Sequence, residues 1–312
     1  MTKHILITGA NGYVGRALAL AFAADGHRLT LLDHSFSGAP DFGNALLLQG
    51  SFSEPAMLDQ ALRTPVDMVY HLASVPGSLA ERHYELGYQV NLQGSLALAN
   101  RIASASMASQ RKIRFVFASS VAVYGDLHDP SIAEDQPPDP RISYGAHKLM
   151  TEIALADLGR RGMLDTVSLR LPGIVARPPG ESGHGSAFMS LIMHKMAAGQ
   201  SYECPVGAEA TAWWMSLPCC IANLRHAGVI ASELLPHSRT WQLPVLHLSV
   251  QQVLSALEQR YGTQARQRIV HTPDAGIEQL FGRYPPLHTP LAEAAGFRHD
   301  GDVVSLVAAA LS

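Results

Sequence analysis

The sequence predicts an α/β fold: a doubly wound parallel sheet followed by a smaller C-terminal lobe. Three observations point there. Strand-like and helix-like segments alternate through the first half of the chain, and the strand-like ones are continuously apolar. The texture then changes after Leu171, where Pro172, Pro178, Pro179, Gly180, Gly183 and Gly185 crowd one stretch. Continuously apolar strands between helices belong to parallel sheets covered on both faces, whereas dense Pro and Gly make shaped loops. A chain of 312 residues that is 47% hydrophobic has material for one large or two small domains, at about 100–200 residues each. The boundary falls near Gly173, giving a first domain of residues 1–172 and a lobe of residues 173–312.

The elements follow in order. His4–Thr8 is an apolar run ending at a glycine turn. Tyr13–Ala24 carries Val14, Leu18 and Phe22 as one helical stripe, with Ala17 and Ala21 beside it, and Asp25-Gly26 stops it. Arg28–Asp33 and Ala45–Gln49 are strands, Met57–Leu62 is helical, and Met68–Leu72 is a buried strand. Asn91–Ala108 reads as a long helix, Ile113–Ala118 as a strand, Ser143–Arg160 as a helix and Thr166–Leu171 as a strand. In the second lobe come a helix at Ala187–Ala198, a Trp-rich segment, a helix at Cys220–Glu233, and a strand at Val245–Ser249. That strand is a candidate to return to the main sheet.

Composition excludes several classes. Lys and Arg total 23 against 26 Asp and Glu, a formal net charge of -3, which gives no electrostatic reason to bind nucleic acid or an anionic membrane. Cys204, Cys219 and Cys220 are too few for a disulfide framework and fit a reducing compartment. The longest apolar stretches, such as Ala17–Ala24, fall short of the roughly 18 residues of a membrane span. A strand-like run begins at His4, so no leader is expected, and a soluble cytoplasmic protein is. No His-x-His or His-Glu-x-x-His arrangement stands out among 15 histidines, so no metal is expected.

Thr8-Gly9-Ala10-Asn11-Gly12-Tyr13-Val14-Gly15 follows the first strand and opens the first helix. Glycines on such a turn let backbone N–H groups approach a pyrophosphate, and the helix start adds a favourable dipole. The strand before and the helix after supply the context that a bare three-glycine pattern lacks. Asp33 ends the second strand 18 residues past Gly15, where an acid binds the adenosine ribose hydroxyls. A carboxylate there repels the extra phosphate of NADP, so NAD is the expected cofactor.

Tyr144 and Lys148 are four apart on a helix and point the same way. Ser120 follows the strand Ile113–Ala118 near the same sheet edge. Together they suit proton transfer coupled to hydride transfer at a secondary alcohol. A tyrosine acting as a base near neutrality must fall from about 10 to about 7, roughly 4 kcal/mol. One cation at about 4 Å supplies about that much at an effective dielectric near 20, before desolvation. Lys148 alone is therefore marginal, and the positive ring of an oxidised nicotinamide would supply the rest. Ser120 would orient the reacting oxygen.

Gly9/Gly12/Gly15, the run Ala118-Ser119-Ser120-Val121-Ala122-Val123-Tyr124-Gly125 and Tyr144-Gly145-Ala146-His147-Lys148 resemble the extended short-chain dehydrogenases/reductases, which are built on the Rossmann fold. The resemblance spans essentially the whole chain. It implies Ser120, Tyr144 and Lys148 as catalytic residues, with Ser120 rather than Ser119 as the serine. It implies cofactor contacts from Gly9, Asn11, Gly12, Tyr13, Val14, Gly15, Asp33, Tyr144, Lys148 and Pro172. His71-Leu72-Ala73-Ser74 would line the cofactor, and Asn91 would organise the active-site helix. One departure is Ser51 after Gly50, where relatives often carry an Asp near the adenine.

Nucleotide-sugar relatives follow the sixth strand with an Asn-Val-Tyr-Gly-Pro-like run; this chain has Leu169-Arg170-Leu171-Pro172-Gly173-Ile174-Val175-Ala176-Arg177 instead, and Ala212-Trp213-Trp214 lacks later paired acids. These segments resemble the sugar-acid dehydrogenases that oxidise carbon 2 of D-erythronate to the 2-oxo acid with NAD. A small hydroxylated carboxylate offers little apolar surface, so charge-assisted hydrogen bonds must place it. The expected contacts are Ser74, Ser120, Tyr144 and Ser186, with Arg177 or His184 nearest the carboxylate. The alternatives are a nucleotide-sugar epimerase or dehydratase and a non-catalytic dinucleotide sensor. Relatives commonly dimerise through the helices at Asn91–Ala108 and Ser143–Arg160, so the resemblance also implies a homodimer.

Overall fold

The protein is described by a computed structural model covering residues 2–178 and 185–312. The main sheet takes six strands from the first half: β1 (His4–Thr8), β2 (Arg28–Asp33), β3 (Leu46–Gln49), β4 (Met68–His71), β5 (Arg114–Ser120) and β6 (Asp165–Leu171). Two second-lobe strands, β7 (Gly173–Val175) and β8 (Thr211–Ser216), precede β9 (Thr240–Gln242), which completes the main sheet, and β10 (Leu246–Ser249). The main-sheet order is β9-β6-β5-β4-β1-β2-β3, and every neighbouring pair is parallel. The strand order reverses between β1 and β4, and the crevice beyond their C-terminal ends is where such sheets take ligands.

Burial on both faces explains why the strands read as unbroken apolar runs. Alternate residues feed different cores. Ile5, Ile7, Leu29, Leu31, Val116 and Val167 pack against Leu18 and Phe22 of helix α1 (Tyr13–Ala24). Leu6, Leu32, Val69, Phe115 and Phe117 pack against Leu98 and Ile102 of α2 (Ser95–Ser109) and Leu155 of α3 (Ser143–Arg160). At about 1.5–3 kcal/mol for each fully buried side chain, these two layers are the main source of stability.

The second lobe holds its own core, in which a three-stranded sheet of order β10-β8-β7 packs on helix α4 (Phe188–Ala197). The chain crosses between lobes. Leu224 and Ala227 of α5 (Leu217–Val229), Trp241 of β9, and later Ala292 and Phe297 all belong to the first core. Among the described residues no helix is long and apolar enough to cross a membrane.

Several expectations are corrected. The strand near residue 246 does not return to the main sheet; it pairs antiparallel with β8, and the main-sheet edge is taken by Thr240–Gln242. Trp241 decides this, because its side chain is buried in the first core while Leu246 and Leu248 are buried in the second. The fifth strand runs on to Ser120, so Ser120 ends a strand rather than sitting on a loop. The Trp-rich segment is β8. Short helices at Gly77–Arg82 and Tyr84–Gly87, unanticipated because Pro76-Gly77 has the look of a turn, lead into a π-helical turn at Tyr88–Gly94 ahead of α2.

Candidate active site

A cavity of about 680 Å³ lies beyond the C-terminal ends of β1, β4, β5 and β6, with its far wall from the second lobe. It begins at the glycine turn. Gly9 has φ +70°, and a Cβ there would lie 2.6 Å from the Ala73 nitrogen. A Cβ on Gly15 would lie 2.1 Å from the Gly9 oxygen, so packing alone demands both glycines. Gly12 is different. Its φ of -72° and ψ of 169° suit any residue, its Cβ would meet only the Gly9 oxygen at 3.2 Å, and it lines the cavity. No side chain caps the helix that starts at Tyr13, and its first turn carries no acid. A glycine turn with no side-chain cap at a helix start fits a dinucleotide pyrophosphate.

Tyr13, Val14, Leu72, Ser74 and Pro172 line the same cavity. Asn11, Asp33, Ala73 and Asn91, expected as cofactor contacts, do not line it. Asp33 is buried and accepts from the Asn11 backbone N–H at 2.9 Å, with the His34 ring 2.9 Å away. The Asn11 side chain donates to the Ser35 and Ser37 carbonyls, so it shapes the loop after β2. Asn91 grips Val75 from both sides, accepting its N–H at 2.7 Å and donating to its carbonyl at 3.0 Å, which fixes the loop carrying Ser74.

Beneath this loop runs a closed relay. His71 is fully buried, with Nδ1 2.6 Å from the Thr8 hydroxyl and Nε2 2.8 Å from that of Ser95. Burial, helped by the Lys148 charge, holds the imidazole down at about 3, so it is neutral. Ser95 spends its own proton on the Asn91 carbonyl. Nε2 must therefore carry the hydrogen, and Thr8 donates to Nδ1. The relay ties the residue before Gly9 to the residue that clamps Val75.

Ser120, Tyr144 and Lys148 converge as expected from their spacing, and all line the cavity. Ser74 and Ser120 lie close enough to the Tyr144 hydroxyl to lower its pKa, and Ser120 Oγ accepts from the Ala122 N–H at 3.1 Å. Ser119 turns the other way and spends its hydroxyl on Glu152, itself paired with Arg170 at 2.8 Å. Burial raises the Tyr144 phenol; Ser74, the Arg177 guanidinium and Ser120 pull it back down. Lys148 Nζ donates to the Ala118 carbonyl at 2.7 Å and lies 5.5 Å from the Tyr144 ring centre. Burial pushes its ammonium down to about 7, opposed by Glu152. Lys148 thus stands beside the phenol as its spacing on the helix predicts, and Arg177 adds a second positive charge that lowers it.

Arg177 and Ser186 line the cavity, while His184 lies outside the described residues. The remaining wall includes Glu81, Met189, Ser190, Trp213, Phe281 and Tyr284. Trp213 stacks on Tyr284 at 4.7 Å and donates to the Pro285 carbonyl. Its neighbour Trp214 points to the other face of β8 and into the second core. The thiols are not activated: burial pushes Cys219 up to about 12 and moves Cys220 in the same direction.

The sheet, the cradle and the Ser-Tyr-Lys group define a dinucleotide-dependent enzyme of the dehydrogenase and epimerase type. The family description that matches, over residues 5–214, is the NAD dependent epimerase/dehydratase family, and the chain belongs to it. It is 32% identical over 318 residues to the D-erythronate dehydrogenase of Cupriavidus necator, covering 98% of this chain and 97% of that one. To the D-erythronate dehydrogenase of Haemophilus influenzae it is 30% identical, with 97% of each chain covered. Among solved structures, a nucleoside-diphosphate-sugar epimerase from Agrobacterium tumefaciens superposes with a TM-score of 0.91 at 28% identity, over 98% of this chain and 92% of that one.

Proposed function

We propose that this chain is an NAD-dependent dehydrogenase that oxidises the 2-hydroxyl of a small sugar acid, D-erythronate, to the 2-oxo acid. The observation that carries this reading is the meeting of the Ser74, Ser120 and Tyr144 hydroxyls in one cavity that runs from a glycine cradle to the Arg177 guanidinium. The full-length likeness to two D-erythronate dehydrogenases supports the choice of acid. Gly9, Gly12, Tyr13, Val14 and Gly15 would hold the pyrophosphate and Leu72, Ser74 and Pro172 the nicotinamide half, with Asn11, Ala73 and Asn91 shaping the walls. Asp33 favours NAD over its 2′-phosphorylated form. When bound, the dinucleotide accepts the hydride that leaves carbon 2.

The protein's own residues do the rest. Tyr144, as a phenolate that Lys148, Arg177 and the positive ring of bound NAD would stabilise against burial, takes the hydroxyl proton as the C–O bond becomes a carbonyl, and Ser74 and Ser120 hold the reacting oxygen. Arg177 binds the carboxylate and Ser186 a neighbouring hydroxyl, with His184 a further candidate. Lys148, anchored on Ala118, braces the tyrosine's helix against β5 and would help hold the cofactor when it is bound. The family also includes nucleotide-sugar epimerases and dehydratases. Four- to six-carbon aldonic acids and UDP-sugars should be offered with NAD while following the reduced cofactor by absorbance. Erythronate should turn over, and Tyr144→Phe should lower kcat by about 10²–10⁴-fold with unchanged NAD affinity. Activity on UDP-sugars alone overturns the reading.

We also propose a cytoplasmic homodimer. Met107 on α2, and Met150 and Ile153 on α3, are exposed apolar side chains on the two helices expected to pair. Three free thiols suit a reducing compartment. Light scattering that finds a monomer at micromolar concentration would remove the dimer.

A further inference from the structure

Arg177 lies two residues beyond β7 and belongs to no helix or strand. Its guanidinium carbon sits 5.7 Å from the centre of the Tyr13 ring, and its Nε is buried without a hydrogen-bond partner among the described residues. Burial lowers its hold on the proton, opposed by Tyr144 and Tyr13. A charged donor left unmatched against a cavity is costly unless an anion completes it.

A loop residue bearing that cost needs a firm main chain, and α4 supplies it. The Arg177 N–H donates to Ser190 Oγ at 3.0 Å. Its carbonyl accepts from His194 Nε2 at 2.8 Å, and the same nitrogen lies 3.1 Å from the Ala176 carbonyl. Both partners of Nε2 are carbonyl oxygens, so that nitrogen carries the hydrogen. Ser190 and His194 are four apart on α4 and therefore share a face. The turn entering α4, Gly185–Ala187, carries Ser186, which lines the same cavity. One helix thus governs both side chains at this end of the site.

We propose that Ser190 and His194 are positioning residues that grip the Arg177 main chain from both sides, so that its guanidinium is presented to the substrate carboxylate. His194 does not line the cavity; Ser190 does, with its Oγ taken up by the Arg177 N–H. The proposal rests on the reading that the site takes a small hydroxy acid. It adds a specificity device: the carboxylate partner is held by side chains of α4, because no sheet or helix ladder reaches it.

The test uses the full-length protein with NAD and compares Ser190→Ala/His194→Leu with Ser190→Thr/His194→Gln, which keeps an acceptor and a donor. In the first variant KM for erythronate should rise about tenfold, with kcat within about threefold and NAD affinity unchanged. The second should recover to within about threefold of wild type. A merely structural role would lower kcat, NAD affinity and thermal stability together, without rescue, and would overturn the proposal, as would an unchanged KM. Oxalate, a non-reacting dicarboxylate, is titrated in parallel into each NAD-loaded protein by calorimetry. If wild type fails to oxidise erythronate, the substrate assignment fails by itself. A selective loss of oxalate affinity in the first variant then still supports the grip, and equal affinity in all three proteins refutes it.

Discussion

Replacing Gly12 by alanine separates what the glycine turn does for the fold from what it does for a ligand. The Gly12 backbone suits alanine, and the added Cβ would have a single close neighbour at 3.2 Å. The folding cost should stay near 0.5–1 kcal/mol, or roughly 1–2 °C in Tm. The methyl would, however, stand where a pyrophosphate must approach the uncapped helix start. Losing two charge-assisted hydrogen bonds of about 1.5 kcal/mol each weakens NAD binding by about 3 kcal/mol, roughly 100-fold. Gly15→Ala is the contrast, because its Cβ would lie 2.1 Å from the Gly9 oxygen and 2.9 Å from the Ala10 Cα. Overpacking of that kind costs about 1–3 kcal/mol and should lower Tm by about 2–5 °C. Calorimetric titration with NAD and thermal unfolding without it read the two effects separately. Wild-type NAD affinity in Gly12→Ala would falsify the cradle, and an unchanged Tm in Gly15→Ala would overturn the packing account.

Two further outcomes follow from buried titratable groups. Lys148 is pushed down to about 7 by burial, against about 10.4 in the unfolded chain, so the unfolded state holds the proton more tightly. The resulting destabilisation is full below pH 7 and fades as pH rises toward about 10. The Tm of Lys148→Met relative to wild type should therefore become steadily less favourable over that interval, and a pH-independent difference would contradict the assignment. His71 should stay neutral with hydrogen on Nε2 from about pH 5 to 8, as read by nitrogen NMR of the ring. His71→Leu strands the Thr8 hydroxyl and removes the donor to Ser95, and should cost about 1–3 kcal/mol in urea unfolding. A ring titrating near pH 6, or an unchanged urea midpoint, would break the relay.

The first half was legible because each strand fills two cores and each helix shows a single stripe, so period and length agree. Ser120, Tyr144 and Lys148 could be found because spacing on one helix and position at one sheet edge are local properties. What escaped is non-local. Thr240–Gln242 spans three residues, too few for a period, and only the burial of Trp241 assigns it to the main sheet. Tyr284 reaches the cavity by stacking on Trp213, more than seventy residues earlier in the chain. The effect of Arg177 on Tyr144 escaped for a related reason. Helix spacing brings Lys148 near the ring, but Arg177 arrives from a loop that no periodicity describes.

The crossing of the chain between its two cores has a consequence for biogenesis. One face of the main sheet is finished by Leu224, Ala227, Trp241 and Phe297, side chains that leave the ribosome long after the six early strands. Until then Ile5, Leu31 and Val116 face water along a broad sticky surface, the kind of intermediate that aggregates or engages chaperones. Cutting the gene after the sixth strand should give an insoluble fragment rather than a free-standing nucleotide-binding module.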